Sequence, residues 1–500
     1  MIAMVLLLMG AAAAAALRRR GGRAAWVAAL SSGVAAWLAG LWEARGLPHS
    51  YVLLEWPFVS GPAGRIVFGM LELEWRLEVL VLSGILILLL VRAADSTRIK
   101  TSGIVRILVS GAIGLGTLLS GNALTLATTL PVLLVHAHWG RRGEAERTSD
   151  SAEGGVSALA CLAVLGLAAS ASASSGSAWP SHAALLALFA IWIAPVIATG
   201  GETASRSDSA SLFTGGLLPI AIGLKLMAET VRARAELPGE PWWIAVAAFL
   251  AVWAVARSVL RPHAYVNTIA TAAASLALLS GSFSAPSSLL GLSWLAAVVL
   301  LSGIATQSLV IHGRMDRLWG LPALAMLWLY TLIAAEPILK ATEGIPIMAV
   351  ELATLGLGSA AIGIIVSRPL FAPISPGGAD DLLALALSRV ALALPAVVGI
   401  GVGLRGFPAM SLGAWLLALA AVGLSGVALA QERGRGGARL RGGRAFDWFD
   451  PSPMAAGLRR VGEVLGKGVR SVMGLFEGVA GILWVWVILL GLLLIQGGPG

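Results

Sequence analysis

The chain has 500 residues, of which 58% are hydrophobic and only 12% are charged, and its formal net charge is +9. Soluble globular proteins are about 25% charged, so this composition excludes an ordinary soluble domain and indicates that most of the chain lies in lipid. Lys and Arg are concentrated in alternate connections between apolar segments, so the positive charge reflects membrane orientation and not nucleic-acid binding. The single cysteine, Cys161, excludes an intrachain disulfide and a cysteine-based metal or cluster site.

Apolar segments recur along the whole chain and predict an all-α polytopic membrane protein, because a spanning segment must pair its own backbone groups. Since one span needs about 20 apolar residues, we predict about sixteen transmembrane helices. The predicted spans are 2–17, 24–42, 76–94, 103–120, 121–137, 155–175, 183–200, 212–231, 241–257, 264–282, 288–311, 318–337, 346–367, 380–404, 408–430 and 473–497.

The basic connections fix a predicted orientation, beginning with Arg18, Arg19 and Arg20 after the first span. Basic loops stay in the cytoplasm, so the alternation predicts that both termini lie outside a bacterial or archaeal cytoplasmic membrane. The loop from 43 to 75 is then external, and its segment 66–73 is predicted to form either a short strand or an interfacial helix.

The same patterns predict five regions. They are N-terminal helices with an external loop (1–100), a helical core (101–430), a basic Gly- and Arg-rich cytoplasmic linker (431–453), an amphipathic helix (454–472) and a C-terminal span (473–500). In the amphipathic segment, apolar residues recur at helical spacing with Arg and Lys between them, which is typical of a helix lying on the membrane surface or along a partner.

Ionisable side chains inside spans are candidate functional groups, because each costs about 2.5–3.5 kcal/mol to insert. Lys225 and Glu229 are one helical turn apart and can pair on one face. A desolvated lysine modulated by a nearby carboxylate could serve as a proton site. The other interpretation is a structural ion pair, or a Lys225 side chain that extends to the interface.

Other charged residues near or within spans have simpler interpretations. Arg389 cannot release its proton usefully, so we interpret it as a fixed counter-charge. His263 is interpreted as an interface residue, Glu78 as a cap at the start of its span, and Glu351 as a residue at a solvated span end. No catalytic residue, cofactor site or metal site is predicted.

Several stretches carry a family resemblance. Residues 107–135 contain Leu-Leu-Ser-Gly-Asn-Ala-Leu-Thr-Leu before a proline, 212–239 precede Pro-Trp-Trp, 257–283 contain Ala-Tyr-Val-Asn-Thr-Ile, and 393–399 begin Ala-Leu-Pro. These stretches resemble the antiporter-like, proton-channel membrane subunits of respiratory complex I (NADH-quinone oxidoreductase) and of related hydrogenase and Mrp complexes. The resemblance implies an antiporter-like fold with two inverted five-helix repeats, broken helices and a C-terminal lateral helix.

The departures from the family pattern concern its titratable residues. The glutamate that the resemblance leads us to expect in the fifth helix falls near Pro131, and the lysine of the seventh falls near Ala221, one turn from Lys225. The basic residue before the Ala-Tyr motif is matched only by Arg261, and the ionisable residue of the twelfth helix has only Arg405 nearby. The resemblance therefore implies a copy that keeps the scaffold and has lost most of the proton path.

The leading hypothesis is a non-catalytic membrane-arm subunit of a respiratory, complex-I-like assembly, degenerate in proton translocation and mainly structural. Its partners would be other membrane subunits and the lipid bilayer, without nucleic acid or a cofactor. The remaining proton-path candidates are Lys225, Glu229, Arg261, His263, Arg389 and Arg405. The alternatives are a secondary transporter for a small solute or ion, and a polytopic lipid-linked sugar transferase or polymerase.

Overall fold

A computed structural model describes residues 1–55, 65–94, 101–121, 240–260, 265–281, 314–340, 345–371, 382–403 and 411–434, with short pieces inside 125–136 and 213–225. The predicted spans 155–175, 183–200, 288–311 and 473–497 lie outside these residues, as do the amphipathic segment 454–472 and most of the linker before it.

The described elements follow the predicted spans closely. The first group is α1 (Ile2–Ala16), α2 (Gly22–Glu43), strands β1 (His49–Glu55) and β2 (Arg65–Met70), α3 (Glu72–Ala94) and α4 (Thr101–Leu118). The second group is α5 (Glu240–Leu260), α6 (Tyr265–Gly281), α7 (Arg314–Lys340), α8 (Ile345–Phe371), α9 (Leu382–Gly403) and α10 (Leu412–Gly434). Each helix matches a predicted span to within a few residues.

The prediction of a multi-pass membrane protein is confirmed. Among the described residues, 6 helical segments are long and apolar enough to cross a membrane. They are Ile2–Arg20, Gly22–Gly46, Thr101–Leu118, Leu318–Lys340, Pro346–Arg368 and Leu412–Ala430. The total of about sixteen depends on segments outside the described residues and stays a prediction.

Two compact units divide the chain. The first comprises Met1–Ser50, Gly69–Leu119 and Gly201–Ala445, and contains every described helix from α1 to α10. Within it, α1 packs on α2 and α4, and α3 packs on α2, α4 and α9. Helix α8 contacts α5, α6, α7 and α10, so it lies at the centre of the later helices.

The second unit comprises Tyr51–Phe68, Ser120–Gly200 and Phe446–Gly500. In its described part, the β2 residue Phe68 forms an antiparallel bridge with Ser120, and the Val67 amide donates to Thr125 Oγ1 at 2.9 Å. β1 and β2 form a two-stranded sheet, so the ambiguous segment 66–73 is a strand up to Met70 and helix from Glu72. Its run of β-branched and aromatic residues favours the strand.

Helices α2 and α3 are joined by indole hydrogen bonds. Trp26 Nε1 donates to the Leu89 carbonyl at 2.8 Å, and Trp75 Nε1 donates to the Gly40 carbonyl at 2.9 Å. Trp75 is therefore buried between the helices. Trp37 Nε1 adds a bond to Ser83 Oγ at 2.9 Å. Such bonds hold helices together where no hydrophobic force between them operates.

Small residues permit the close helix contacts. An added Cβ at Gly10 of α1 would overlap with both the Cβ and the hydroxyl of Ser32 on α2. The Ser32 hydroxyl already donates to the Leu6 carbonyl, so it cannot turn away without losing that bond. Gly10 is thus a position at which the α1–α2 separation leaves no room for a methyl group.

We expect Gly10→Ala to lower the free energy of unfolding by about 1–3 kcal/mol, because overpacking forces side chains or backbone to shift. The measurement is the thermal unfolding midpoint of the detergent-purified full chain. Gly426→Ala in α10 is the matched control, because no described atom lies within 4 Å of an added Cβ there. Equal midpoints for the two variants would contradict the packing argument.

Candidate functional site

Lys225 is the one proton-path candidate that the described residues place fully inside the helix packing. It ends the described helical piece 220–225, and only 1% of its surface is exposed. Its Nζ donates a hydrogen bond to the carbonyl of Leu118, the last residue of α4. The lysine side chain therefore lies inside the helix packing and not in solvent.

The neighbouring leucines fix the position of this lysine. The Leu217 side chain occupies the space that a Cβ on Gly84 of α3 would need. The Leu218 side chain likewise occupies the space that a Cβ on Gly114 of α4 would need. Phe213 and Leu217 lie in a π-helical turn just before the α-helical piece 220–225. Such wider turns commonly occur inside helices at functional sites. The two glycines let the segment approach α3 and α4 closely enough for Lys225 to reach Leu118.

The chemistry of the contact is that of a helix C-terminus. The last carbonyls of a helix lack intrahelical partners and carry the negative end of the helix dipole. An ammonium group satisfies such a carbonyl and gains from that dipole. The described geometry therefore places the buried Lys225 ammonium group on the carbonyl that ends α4.

The remaining candidates are placed differently. Arg389 lies in α9, half-buried, on a helix that packs against α3. Glu229, Arg261, His263 and Arg405 lie outside the described residues, so the Lys225–Glu229 pair stays a prediction. Among the residues that the structure describes, no three His, Cys, Asp or Glu side chains come together as metal ligands.

The structure corrects the interpretation of two carboxylates. Helix α3 begins at Glu72, so Glu78 lies inside the helix and does not cap it. The cap comes from Glu74, whose Oε2 accepts a hydrogen bond from the Leu71 amide at 3.1 Å. Glu351 is 1% exposed and not at a solvated end, because α8 begins at Ile345 and carries it into the packing. Helix α3 starts four residues before its predicted span, which hid the position of Glu78, whereas α8 starts within one residue of its predicted span.

Two polar contacts tie α7 to its neighbours. The Tyr330 hydroxyl donates to the Gly399 carbonyl of α9. Glu336 Oε2 accepts a hydrogen bond from the Ser411 amide before α10 at 2.8 Å, and its other oxygen lies 3.1 Å from Lys340 Nζ. The partners in these contacts are a backbone amide at a helix start and a helix carbonyl, and Lys225 likewise binds a helix carbonyl. The contacts serve to position helices.

We expect Lys225→Met to lower the free energy of unfolding by about 1–3 kcal/mol, because it removes a donor from a buried carbonyl at a helix end. Thermal unfolding of the purified full chain measures this. The matched control is Arg19→Met, whose side chain is exposed in the connection after α1. A surface substitution of this kind usually changes the free energy of unfolding by no more than about 0.5 kcal/mol. A Lys225→Met chain as stable as the parent would contradict the structural role.

Comparisons with known proteins bear on the fold. No protein-family model and no curated protein matches the sequence. A chain of the Mrp complex from Dietzia sp. DQ12-45-1b is similar in structure, with a TM-score of 0.63 and 14% identity, over 98% of this chain and 61% of that chain. This chain thus spans about 61% of the length of the Mrp chain that it matches.

Two further structures agree. A chain of respiratory complex I from Thermus thermophilus, solved with bound aureothin, has a TM-score of 0.52 and 16% identity, over 80% of this chain and 97% of that chain. A chain of the membrane-bound sulfane sulfur reductase (MBS), an archaeal respiratory membrane complex, has a TM-score of 0.59 and 14% identity, over 99% of both chains. The resemblance inferred from the sequence is confirmed at the level of the fold, which is that of the antiporter-like membrane subunits.

Proposed function

We propose that this protein is a membrane subunit of a multisubunit, complex-I-like respiratory assembly, and that it acts mainly as a scaffold. The observation that carries the proposal is the likeness in fold over 99% of both chains to a chain of an archaeal respiratory membrane complex. A chain that matches such a subunit from end to end is expected to occupy a comparable place among neighbouring membrane subunits.

The state of the titratable residues supports the scaffold role. A proton relay needs groups that take up and release a proton in series across the low-dielectric core. Lys225 is held on the Leu118 carbonyl. The guanidinium group of an arginine such as Arg389 supplies a fixed charge and not a relay group. We therefore propose that the chain is degenerate in proton translocation, with Glu229, Arg261, His263 and Arg405 as the remaining candidates.

The exposed apolar faces fit a subunit surrounded by lipid and other membrane chains. Helix α10 exposes a series of large apolar side chains along most of its length, namely Leu412, Trp415, Leu416, Leu419, Val422, Leu424 and Val427. Exposed apolar surface of this extent needs acyl chains or partner helices to cover it. We propose further that both termini lie outside the cytoplasm and that segment 454–472 braces neighbouring subunits.

Purification of the tagged full chain from its native membrane in a mild detergent tests this proposal. We expect redox subunits of a respiratory or hydrogenase-like assembly to co-purify in fixed ratio with the chain. A parallel purification from cells that carry the untagged chain is the control for non-specific capture. Recovery of the chain as a lone monomer or homodimer would contradict the proposal and favour the secondary transporter.

A further inference from the structure

We propose that Glu78 of α3 is a buried proton-binding site against α2, and that its proton enters and leaves through Glu43, the last residue of α2. This site is separate from the scaffold function. It also lies outside the set of residues that the family resemblance identifies as a proton path.

The burial of Glu78 is the first step. It is the seventh residue of α3, about 9 Å along the helix from Glu72. None of its surface is exposed, and neither carboxylate oxygen accepts a hydrogen bond from any residue in the part of the chain that the structure describes. An ionised carboxylate in such a place is costly, and it becomes neutral by binding a proton.

The second step is the route from Glu78 to the end of α2. An ideal Cβ added at Gly40 would lie 3.9 Å from Glu78 Cδ, so the carboxyl group rests against the glycine backbone of α2. Glu43 follows Gly40 by three residues and so lies on the same helix face. Its side chain keeps 14% exposure, and its Oε1 lies 3.3 Å from the Met1 amino nitrogen. Glu43 thus brings a partly exposed carboxylate, at the last residue of α2, to the helix face that Glu78 contacts.

The charged groups nearest in level to Glu78 each contact another group. On α3 itself, Arg76 Nη2 pairs with Glu72 Oε1 at 2.6 Å, and the buried Glu74, one turn before Glu78, accepts a hydrogen bond from the Leu71 amide. On the segment packed against α3 and α4, Lys225 donates to the Leu118 carbonyl. On α1, the Met1 amino group contacts Glu43. Each of these cations therefore already has an identified partner other than Glu78.

The charged residue described on α4, Arg106, lies at a different level from Glu78. In the antiparallel pair α3–α4, Gly111 of α4 faces Ile85 of α3. Leu118 and Glu78 each lie seven residues, about 10 Å, from that contact in the same direction, so they stand at the same level along the helix axes. Arg106 is twelve residues from Leu118, about 18 Å along α4. It therefore does not face Glu78.

Helix α9, which also packs against α3, carries one charged residue in its described range, Arg389. Of the charged residues described on the helices that pack against α3, Glu43 is the one carboxylate, and it is therefore the group proposed to exchange a proton with Glu78.

A proton fits this site better than a metal cation. A hard cation takes about six oxygen ligands, whereas the carbonyl of Gly40, the glycine beside Glu78, accepts the Trp75 indole hydrogen bond. A proton needs one oxygen. A site at a single level of the bundle stores a proton and does not carry it across the membrane, so it is compatible with a scaffold.

The test is infrared difference spectroscopy of native membranes that contain the full assembly, as the medium is changed from acidic to alkaline. We expect a carbonyl stretching band of a protonated carboxylic acid that disappears in Glu78→Gln, an isosteric change that preserves packing. The matched control is Glu72→Gln, which removes a carboxylate that is half exposed and should leave the band intact. We expect the band to weaken as the medium becomes alkaline.

The route has its own measurement. After a rapid change of pH, the Glu78 band should change about 10²-fold more slowly in Glu43→Gln, the factor typical of losing a positioned acid–base group. Absence of a Glu78 band throughout the pH range, or a band that does not respond to pH, would overturn the site. An unchanged rate in Glu43→Gln would overturn the route. None of these outcomes depends on which subunits co-purify, so the site and the proposed function fail separately.

Discussion

Every polar group that this chain brings into the membrane has to find its partner within the protein, because lipid offers none. The described helices meet this constraint in one recurring way, in which a side chain of one helix donates to a backbone carbonyl of another. Trp26, Trp75, Tyr330 and Lys225 all do so. This rule accounts for the helix positions and for the proposed role of Lys225. Glu78 is the exception to it.

The rule explains why an intramembrane lysine need not be a proton carrier. A buried ammonium group that donates to a helix-end carbonyl is stabilised in its charged form by the hydrogen bond and by the helix dipole. Such a group holds a fixed charge and fixes the end of α4. Glu78 is the contrasting case, since no described residue donates a hydrogen bond to its oxygens. The same membrane environment thus gives one ionisable residue a structural role and makes the other a proton site.

Much of the fold was accessible from the sequence, because apolar runs of spanning length have one solution in lipid. The runs predicted α1, α2, α4 and α10 to within a few residues, and the motifs predicted the fold seen in the compared respiratory complexes. The start of α3 was missed because the polar residues Glu72, Glu74 and Arg76 precede its apolar run. A helix that begins in polar sequence can bury a charged residue that hydropathy assigns to a loop or a cap.

The candidate site was accessible only in part. The sequence identified Lys225 as an unusual charge, but the Leu118 carbonyl lies 107 residues away along the chain, and no local pattern connects the two. The approach depends on Gly84 and Gly114, which accommodate Leu217 and Leu218. Glycines are so frequent in this sequence that none of them could be singled out in advance. Tertiary packing, and not local propensity, decides which charge becomes structural.

The central claim is that the chain holds its buried charges in place and does not pass protons from one side of the membrane to the other. The most direct measurement is proton uptake by liposomes that contain the purified full chain, driven by an imposed membrane potential and read from an internal pH dye. The account predicts uptake equal to that of empty liposomes. Uptake above that level, abolished by Lys225→Met, would contradict it.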